Sequence, residues 1–207
     1  HYMQKEIFEQ PGAVANTLEN VFGARSLQPE LFGVEAAELF GGVTSVNIVA
    51  CGTSYHAGMV ARYWIEGIAG LPCNVEIASE YRYRHVVVPA NALFLTISQS
   101  GETADTLAAV KELKRKGIPT LAICNVVGSS IAQEADGGVY LHAGPEIGVA
   151  STKAFTSQVS ALTLLALFMG RIRMLSSSRG MQLVRALEAL PDQIESVLAQ
   201  NEEIKRI

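Results

Sequence analysis

The sequence predicts an α/β fold with three layers, in which a five-stranded parallel sheet lies between helices. Short apolar runs alternate with helical patterns along the middle of the chain, and turns that contain Gly or Pro separate them. The runs are apolar on both faces, which is typical of parallel strands covered by helices on both sides. With 207 residues, 49% of them hydrophobic and 17% charged, the chain can bury one large core and is not disordered.

Two helical patterns precede the first strand. One spans residues 3–22, with a break or a new start at Gln10-Pro11-Gly12, and the other runs from Leu31 to Phe40. We expect both to pack on the outside of the domain or against a partner.

The five predicted strands are residues 45–50, 73–77, 93–97, 118–124 and 138–141. Helical patterns follow the first four strands, and a glycine-containing loop follows the fifth. A long helix then begins near Ser151 and ends near Met169, and residues 179–207 are helical with a break at Pro191.

Residues 98–106, with the sequence Ser-Gln-Ser-Gly-Glu-Thr-Ala-Asp-Thr, connect the third strand to its helix. A helix N-terminus offers unpaired N–H groups and the positive end of the helix dipole, and Ser and Thr hydroxyls add further donors. This composition favours a phosphate site without lysine. The alternative interpretation is an ordinary helix N-cap made by Ser100 and Thr103.

Two further hydroxyl-rich turns, Thr53-Ser54 and Ser151-Thr152, are expected at the same edge of the sheet, where open parallel sheets bind ligands. A P-loop motif is absent. Residues 51–58 do not match the dinucleotide motif, although Glu76 lies near the place of its acidic residue. The three turns together therefore indicate a small phosphorylated polyol as ligand.

Acid–base chemistry on a sugar would need a matched pair of titratable groups. We interpret Glu102 as structural, His56 as packed or half-exposed, and Lys153 as facing either an anion or solvent, while Glu146 stays unassigned. His85 and His142 are predicted at the surface. The sequence thus shows a binding cradle and no convincing acid–base pair.

Composition excludes several other classes. The net charge of −4, with no basic run, argues against nucleic acid as a partner. The apolar run of residues 159–169 is shorter than the roughly 20 residues of a membrane span. Three widely spaced cysteines, Cys51, Cys73 and Cys124, favour buried reduced thiols in a cytosolic protein over a disulfide framework or a zinc site.

Residues 51–54, 98–106 and 146–156, together with the opening residues 1–11, resemble the sugar-isomerase (SIS) family and, within it, the glutamine:fructose-6-phosphate amidotransferases. The resemblance implies binding of a hexose phosphate, fructose 6-phosphate or glucosamine 6-phosphate, with no cofactor and no metal. It implies phosphate contacts from four residues and sugar contacts from four others. These are Ser98, Gln99, Ser100 and Thr103 for the phosphate, and Thr53, Ser54, Val149 and Ser151 for the sugar.

The resemblance also implies a division of the chain and its partners. Residues 1–44 would be a helical lead-in, residues 45–175 the SIS core, and residues 176–207 a helical linker toward a second SIS subdomain that carries the catalytic acid–base residues. We expect a glutaminase domain in the full-length chain, a homodimer and a cytoplasmic location. Two alternatives stay open: a non-catalytic SIS sugar-phosphate sensor, and a stand-alone SIS sugar-phosphate isomerase.

Overall fold

The computed structural model describes residues 1–22, 32 and 36–206. Helices form the beginning and the end of the chain, and five strands alternate with helices between them. The strands are β1 Ser45–Ala50, β2 Cys73–Ile77, β3 Ala92–Ser98, β4 Thr120–Cys124 and β5 Gly137–Tyr140. The helices are α1 Tyr2–Phe8, α2 Gln10–Phe22, α3 Ala36–Gly42, α4 Gly52–Trp64, α5 Ala78–Tyr83, α6 Ala104–Arg115, α7 Ser130–Glu134, α8 Lys153–Arg171, α9 Ser177–Glu188, α10 Leu190–Leu198 and α11 Asn201–Ile204.

The five strands form one parallel sheet in the order β2-β1-β3-β4-β5, which confirms the predicted fold class. The order reverses between β1 and β3, so the chain leaves these two neighbouring strands toward opposite faces of the sheet. Ala50 at the end of β1 pairs with Ile97 near the end of β3. The turns that follow the two strands therefore begin side by side, at the switch point where open α/β sheets bind ligands.

Side chains alternate between two cores because successive strand residues face opposite sides of a sheet. Val46 and Ile48 of β1 pack against α4 and α8 on one face, whereas Val49 packs with α5 and α6 on the other. All seven residues of β3, the central strand, are buried. Burial on both faces explains why the strands are recognisable as continuous apolar runs.

The lead-in helices pack on the domain, as predicted. Val14 and Leu18 of α2 are fully buried against α8 and α9. The break at Gln10-Pro11-Gly12 is confirmed as the start of α2 after α1. Of the predicted helix from Leu31 to Phe40, the structure describes α3, while residue 31 and residues 33–35 lie outside the described residues.

None of the helices in the described part of the chain is both long enough and apolar enough to cross a membrane. All three cysteines are free thiols; Cys73 and Cys124 are buried and Cys51 is partly buried.

Candidate functional site

A crevice of about 230 Å³ opens at the carboxyl ends of β1 and β3. It brings together all eight sequence-predicted site residues from three separate segments of the chain. They are Thr53, Ser54, Ser98, Gln99, Ser100, Thr103, Val149 and Ser151, joined by Cys51, Ile97, Glu146 and Gly148. Glu146 is the one charged side chain in this lining of described residues, so any anion held here would meet neutral donors.

The turn after β3 is built by its own hydroxyls. Ser98 is 2% exposed, and its Oγ accepts the N–H of Gly101 at 3.0 Å and lies 3.0 Å from Oγ1 of Thr103. Thr103 occupies the N-cap position of α6, but its side chain makes no cap hydrogen bond to the helix. The N-cap interpretation of Ser100 and Thr103 is therefore wrong, since these hydroxyls are not used to cap α6.

The hydrogen-bond partners of the hydroxyls decide which of them can donate to a ligand. Ser100 Oγ accepts the N–H of Glu102 at 3.2 Å, so its own hydrogen is left for a ligand. In the pair of Ser98 and Thr103 one hydroxyl donates to the other, which again leaves one hydrogen. Ser54 Oγ accepts from Nε2 of Gln158 at 3.0 Å and keeps its hydrogen too. These contacts thus leave three O–H donors for the crevice, and the hydroxyl of Thr53 belongs to the same lining.

Two helix N-termini add to these donors. Helix α4 begins at Gly52, close behind β1, and helix α6 begins at Ala104, after the turn that follows β3; neither has a side-chain cap. Their first N–H groups and the positive ends of their dipoles lie at the crevice, where an anion gains typically about 0.3–1 kcal/mol per helix. This arrangement can hold a phosphate without any cationic side chain.

The part of the lining around Glu146 has a different character. Its carboxylate accepts the N–H groups of Thr152 at 2.8 Å and Ala154 at 3.2 Å, and so caps α8. It also accepts the hydroxyl of Ser151 at 2.9 Å. Because the Ser151 hydrogen is used, Ser151 offers only lone pairs to a ligand, which suits a sugar hydroxyl and not a phosphate oxygen.

The remaining candidates for acid–base chemistry lie away from the crevice. His56, His85 and His142 are exposed, as predicted for the last two. Lys153 is 4% exposed, and its Nζ donates to Oε2 of Glu9 at 2.6 Å, so it meets a carboxylate of the protein and not solvent. Glu102 is structural as predicted, but it accepts the N–H of Ser130 and thereby caps α7.

Sequence reasoning missed two residues that shape the crevice, Glu6 and Gln158. Glu6 of α1 accepts N–H groups of the loop that carries Val149, and Gln158 of α8 fixes the hydroxyl of Ser54. Their partners lie 141 and 104 residues away in the sequence. No local pattern signals such contacts.

The geometry agrees with a comparison against protein families, in which the SIS domain profile matches residues 43–168. The chain belongs to the SIS domain family. The matched residues of this SIS domain include β1 to β5 and most of α8, and hence every segment that lines the crevice. Helices α1 and α2 precede the matched region.

The relatives are similar along the whole of this chain, beyond the residues that the SIS profile matches. The glutamine–fructose-6-phosphate aminotransferases (isomerizing) of Pseudomonas syringae pv. tomato and Pseudomonas aeruginosa are 54% and 53% identical to it, over 100% of this chain and 34% of each relative. A solved C-terminal domain of glucosamine-fructose-6-phosphate aminotransferase from Francisella tularensis superposes with a TM-score of 0.93 at 44% identity, over 100% of this chain and 58% of that one. The chain thus spans about a third of the length of these curated relatives.

Proposed function

We propose that the crevice binds a hexose phosphate, fructose 6-phosphate or glucosamine 6-phosphate. The observation that carries this proposal is the convergence of three O–H donors and two uncapped helix N-termini with the acceptors of Ser151 and Glu146 in one crevice. A phosphate needs donors and a sugar hydroxyl can use an acceptor, so the two sets of groups suit the two ends of one ligand. Ser98, Gln99, Ser100 and Thr103 would take the phosphate.

We further propose that this chain is the sugar-phosphate-binding part of the isomerase region of a glutamine–fructose-6-phosphate aminotransferase. In the reaction of such an aminotransferase, ammonia from glutamine condenses with the ketose carbonyl and releases water. A proton then moves from the first to the second sugar carbon to give glucosamine 6-phosphate. The relatives at 53% and 54% identity support this assignment.

The proton transfer would need groups from elsewhere. Among the described residues that line the crevice, Glu146 is the one carboxylate, and the N-terminus of α8 already occupies it. We therefore propose that this chain binds the sugar phosphate and catalyses nothing alone. Glucosamine 6-phosphate formation by the 207-residue chain, supplied with fructose 6-phosphate and ammonia, would contradict this assignment.

Binding is tested by calorimetry with fructose 6-phosphate on the wild type and Ser100→Ala. Loss of one hydrogen bond to a charged group should cost about 1.5–3 kcal/mol, which is roughly a ten- to hundredfold rise in Kd. Ser196→Ala removes an exposed hydroxyl from α10 and serves as the matched control. If Ser100→Ala and Ser196→Ala bind as tightly as the wild type, the proposed phosphate contact is wrong.

The division into a lead-in (1–44), a core (45–175) and a linker (176–207) stays a prediction, as do the homodimer, the glutaminase domain and the second SIS subdomain. Light scattering of the purified chain tests self-association directly. A mass of one chain at every concentration would contradict the homodimer for this chain.

A further inference from the structure

A buried carboxylate of the lead-in reaches the loop between β5 and α8. Glu6 is 3% exposed, and its Oε1 accepts the backbone N–H of Ile147 at 2.6 Å and that of Gly148 at 3.0 Å. The N–H of Gly148 also lies 3.1 Å from Oε2. A carboxylate buried this deeply is tolerated only where donors reach it, and here the donors are main-chain groups of the loop.

The carboxylate of Glu6 lies so close to Gly148 that it leaves no space for a side chain at position 148. A Cβ on Gly148 would stand 2.5 Å from Oε2 of Glu6, so any side chain there would push the carboxylate away from the loop. Glycine at this point thus allows the contact with Glu6, whereas its backbone conformation is one that other residues adopt.

A second carboxylate, three residues along, secures the end of the same loop. Glu9 follows the last residue of α1, and its Oε2 accepts from Nζ of Lys153, the first residue of α8, at 2.6 Å. The hydrogen bond from Lys153 lowers the pKa of Glu9, so the carboxylate stays charged at neutral pH. Glu6 and Glu9 are three residues apart, so both carboxylates lie on one side of α1 and its C-terminal end, where Glu6 binds the loop and Glu9 binds the start of α8.

The loop held in this way lines the crevice through Gly148, Val149 and Ser151. Val149 is fully exposed, so no packing of its own side chain fixes its position. Its position depends on the backbone around it, and the adjacent N–H groups of Ile147 and Gly148 are the ones that Glu6 binds.

We propose that Glu6 is a positioning residue for the sugar end of the ligand site. It holds the loop so that Val149 and Ser151 face the ligand, while the phosphate end, built by the turn after β3, does not depend on it. This inference rests on the proposed hexose phosphate function and extends it to a residue outside the SIS-matched region. The lead-in is then a part of the site and not an external support.

The test compares two ligands on three variants by NMR titration of the full chain. Glu6→Ala removes the clamp, Glu6→Gln keeps one acceptor oxygen and its shape, and Glu19→Ala removes an exposed carboxylate from α2 as the control. We expect Glu6→Ala to raise the Kd for fructose 6-phosphate about tenfold and to leave the Kd for inorganic phosphate within about twofold. Glu6→Gln should recover part of the loss, and Glu19→Ala should change neither value.

Amide hydrogen exchange of Ile147 and Gly148 gives a readout that needs no ligand. The clamp predicts faster exchange of both amides in Glu6→Ala, with the amides of β3 unchanged. A Kd for fructose 6-phosphate within twofold of the wild type, or equal losses for both ligands, would overturn the positioning role. If Glu6→Ala does not fold, Glu6→Gln decides by the same criteria.

The two proposals fail in different ways. If the wild type binds no fructose 6-phosphate, the proposed function and the ligand role of Glu6 are refuted together. If the wild type binds and Glu6→Ala binds equally well, the proposed function stands and only the role of Glu6 is wrong.

Discussion

Gly101 lies at the centre of the turn after β3, and replacing it with alanine should damage both stability and the ligand site. Its φ of +67° is in the left-handed region, which costs a residue with a Cβ about 1–2 kcal/mol. A Cβ there would also overlap Oγ and Cβ of Ser129, both nearer than the 3.0 Å that such atoms keep. Ser129 is buried at the N-terminus of α7, so it cannot move aside into solvent.

Gly117 provides a matched control for the backbone part. It has the same φ of +67°, and a Cβ there would meet nothing within 4 Å. Gly117→Ala should therefore cost only the backbone penalty, about 1–2 kcal/mol. Gly101→Ala should cost about 1–3 kcal/mol more, the usual range for overpacking a buried site.

Urea unfolding of both variants measures the difference, and Ser129→Gly tests its cause. Ser129→Gly alone should lose a few tenths of a kcal/mol, because glycine is an acceptable N-cap. In the Gly101→Ala background it should restore about 1–3 kcal/mol, since both overlapping atoms are gone. Equal free energies of unfolding for Gly101→Ala and Gly117→Ala would refute the reasoning, as would a double variant that recovers nothing.

Three further predictions concern Ser98, Glu102 and the cysteine thiols. Ser98→Ala leaves the buried N–H of Gly101 without an acceptor. It should lower the free energy of unfolding, measured with urea, by about 1–3 kcal/mol, and weaken sugar-phosphate binding, measured by calorimetry. The N–H of Ser130 lowers the pKa of Glu102 from its ordinary value of 4.5, so the contribution of Glu102 is full above pH 4.5 and is lost as the pH falls toward the lowered value. Glu102→Gln should hence flatten the acid side of the stability curve, and an unchanged slope below pH 4.5 would count against the cap. Burial raises the pKa of Cys73 to about 12 and that of Cys124 to about 11, so a thiol reagent at pH 8 should modify only Cys51. Fructose 6-phosphate should slow that reaction because Cys51 lines the crevice. Modification of two or three thiols in the native protein, or no protection by the ligand, would contradict this.

The sheet was predictable because its strands are buried on both faces. Ser45–Ala50 and Cys73–Ile77 have the bounds that their apolar runs indicate, and the other three strands differ by one or two residues at their ends. The meeting of the three turns followed from one rule, that parallel strands end at the same edge. That edge is where the structure has the eight predicted residues.

The supports of the site were not predictable, for a physical reason. Local patterns carry information about neighbours in the chain, whereas Glu6 and Gln158 act on segments more than 100 residues away. Lys153 could not be assigned for the same reason, since its partner Glu9 lies at the junction of α1 and α2, whose docking position depends on tertiary packing. Glu102 is a milder case: it is structural, as predicted, but the helix that it caps is α7, which lies later in the chain.

A cradle of neutral donors also predicts how binding responds to salt. A site that attracts phosphate through lysine or arginine weakens as salt screens the attraction, with the Debye length falling from about 30 Å at 0.01 M to about 8 Å at 0.15 M. Here the described lining holds no cation and the chain carries a net charge of −4, so screening removes a weak repulsion and leaves the short-range hydrogen bonds intact. The Kd for fructose 6-phosphate should stay within about twofold between these two chloride concentrations, or fall slightly. A severalfold rise in Kd with salt would mean that a cationic side chain meets the phosphate, and the assignment of the phosphate to Ser98, Ser100 and Thr103 would have to be abandoned.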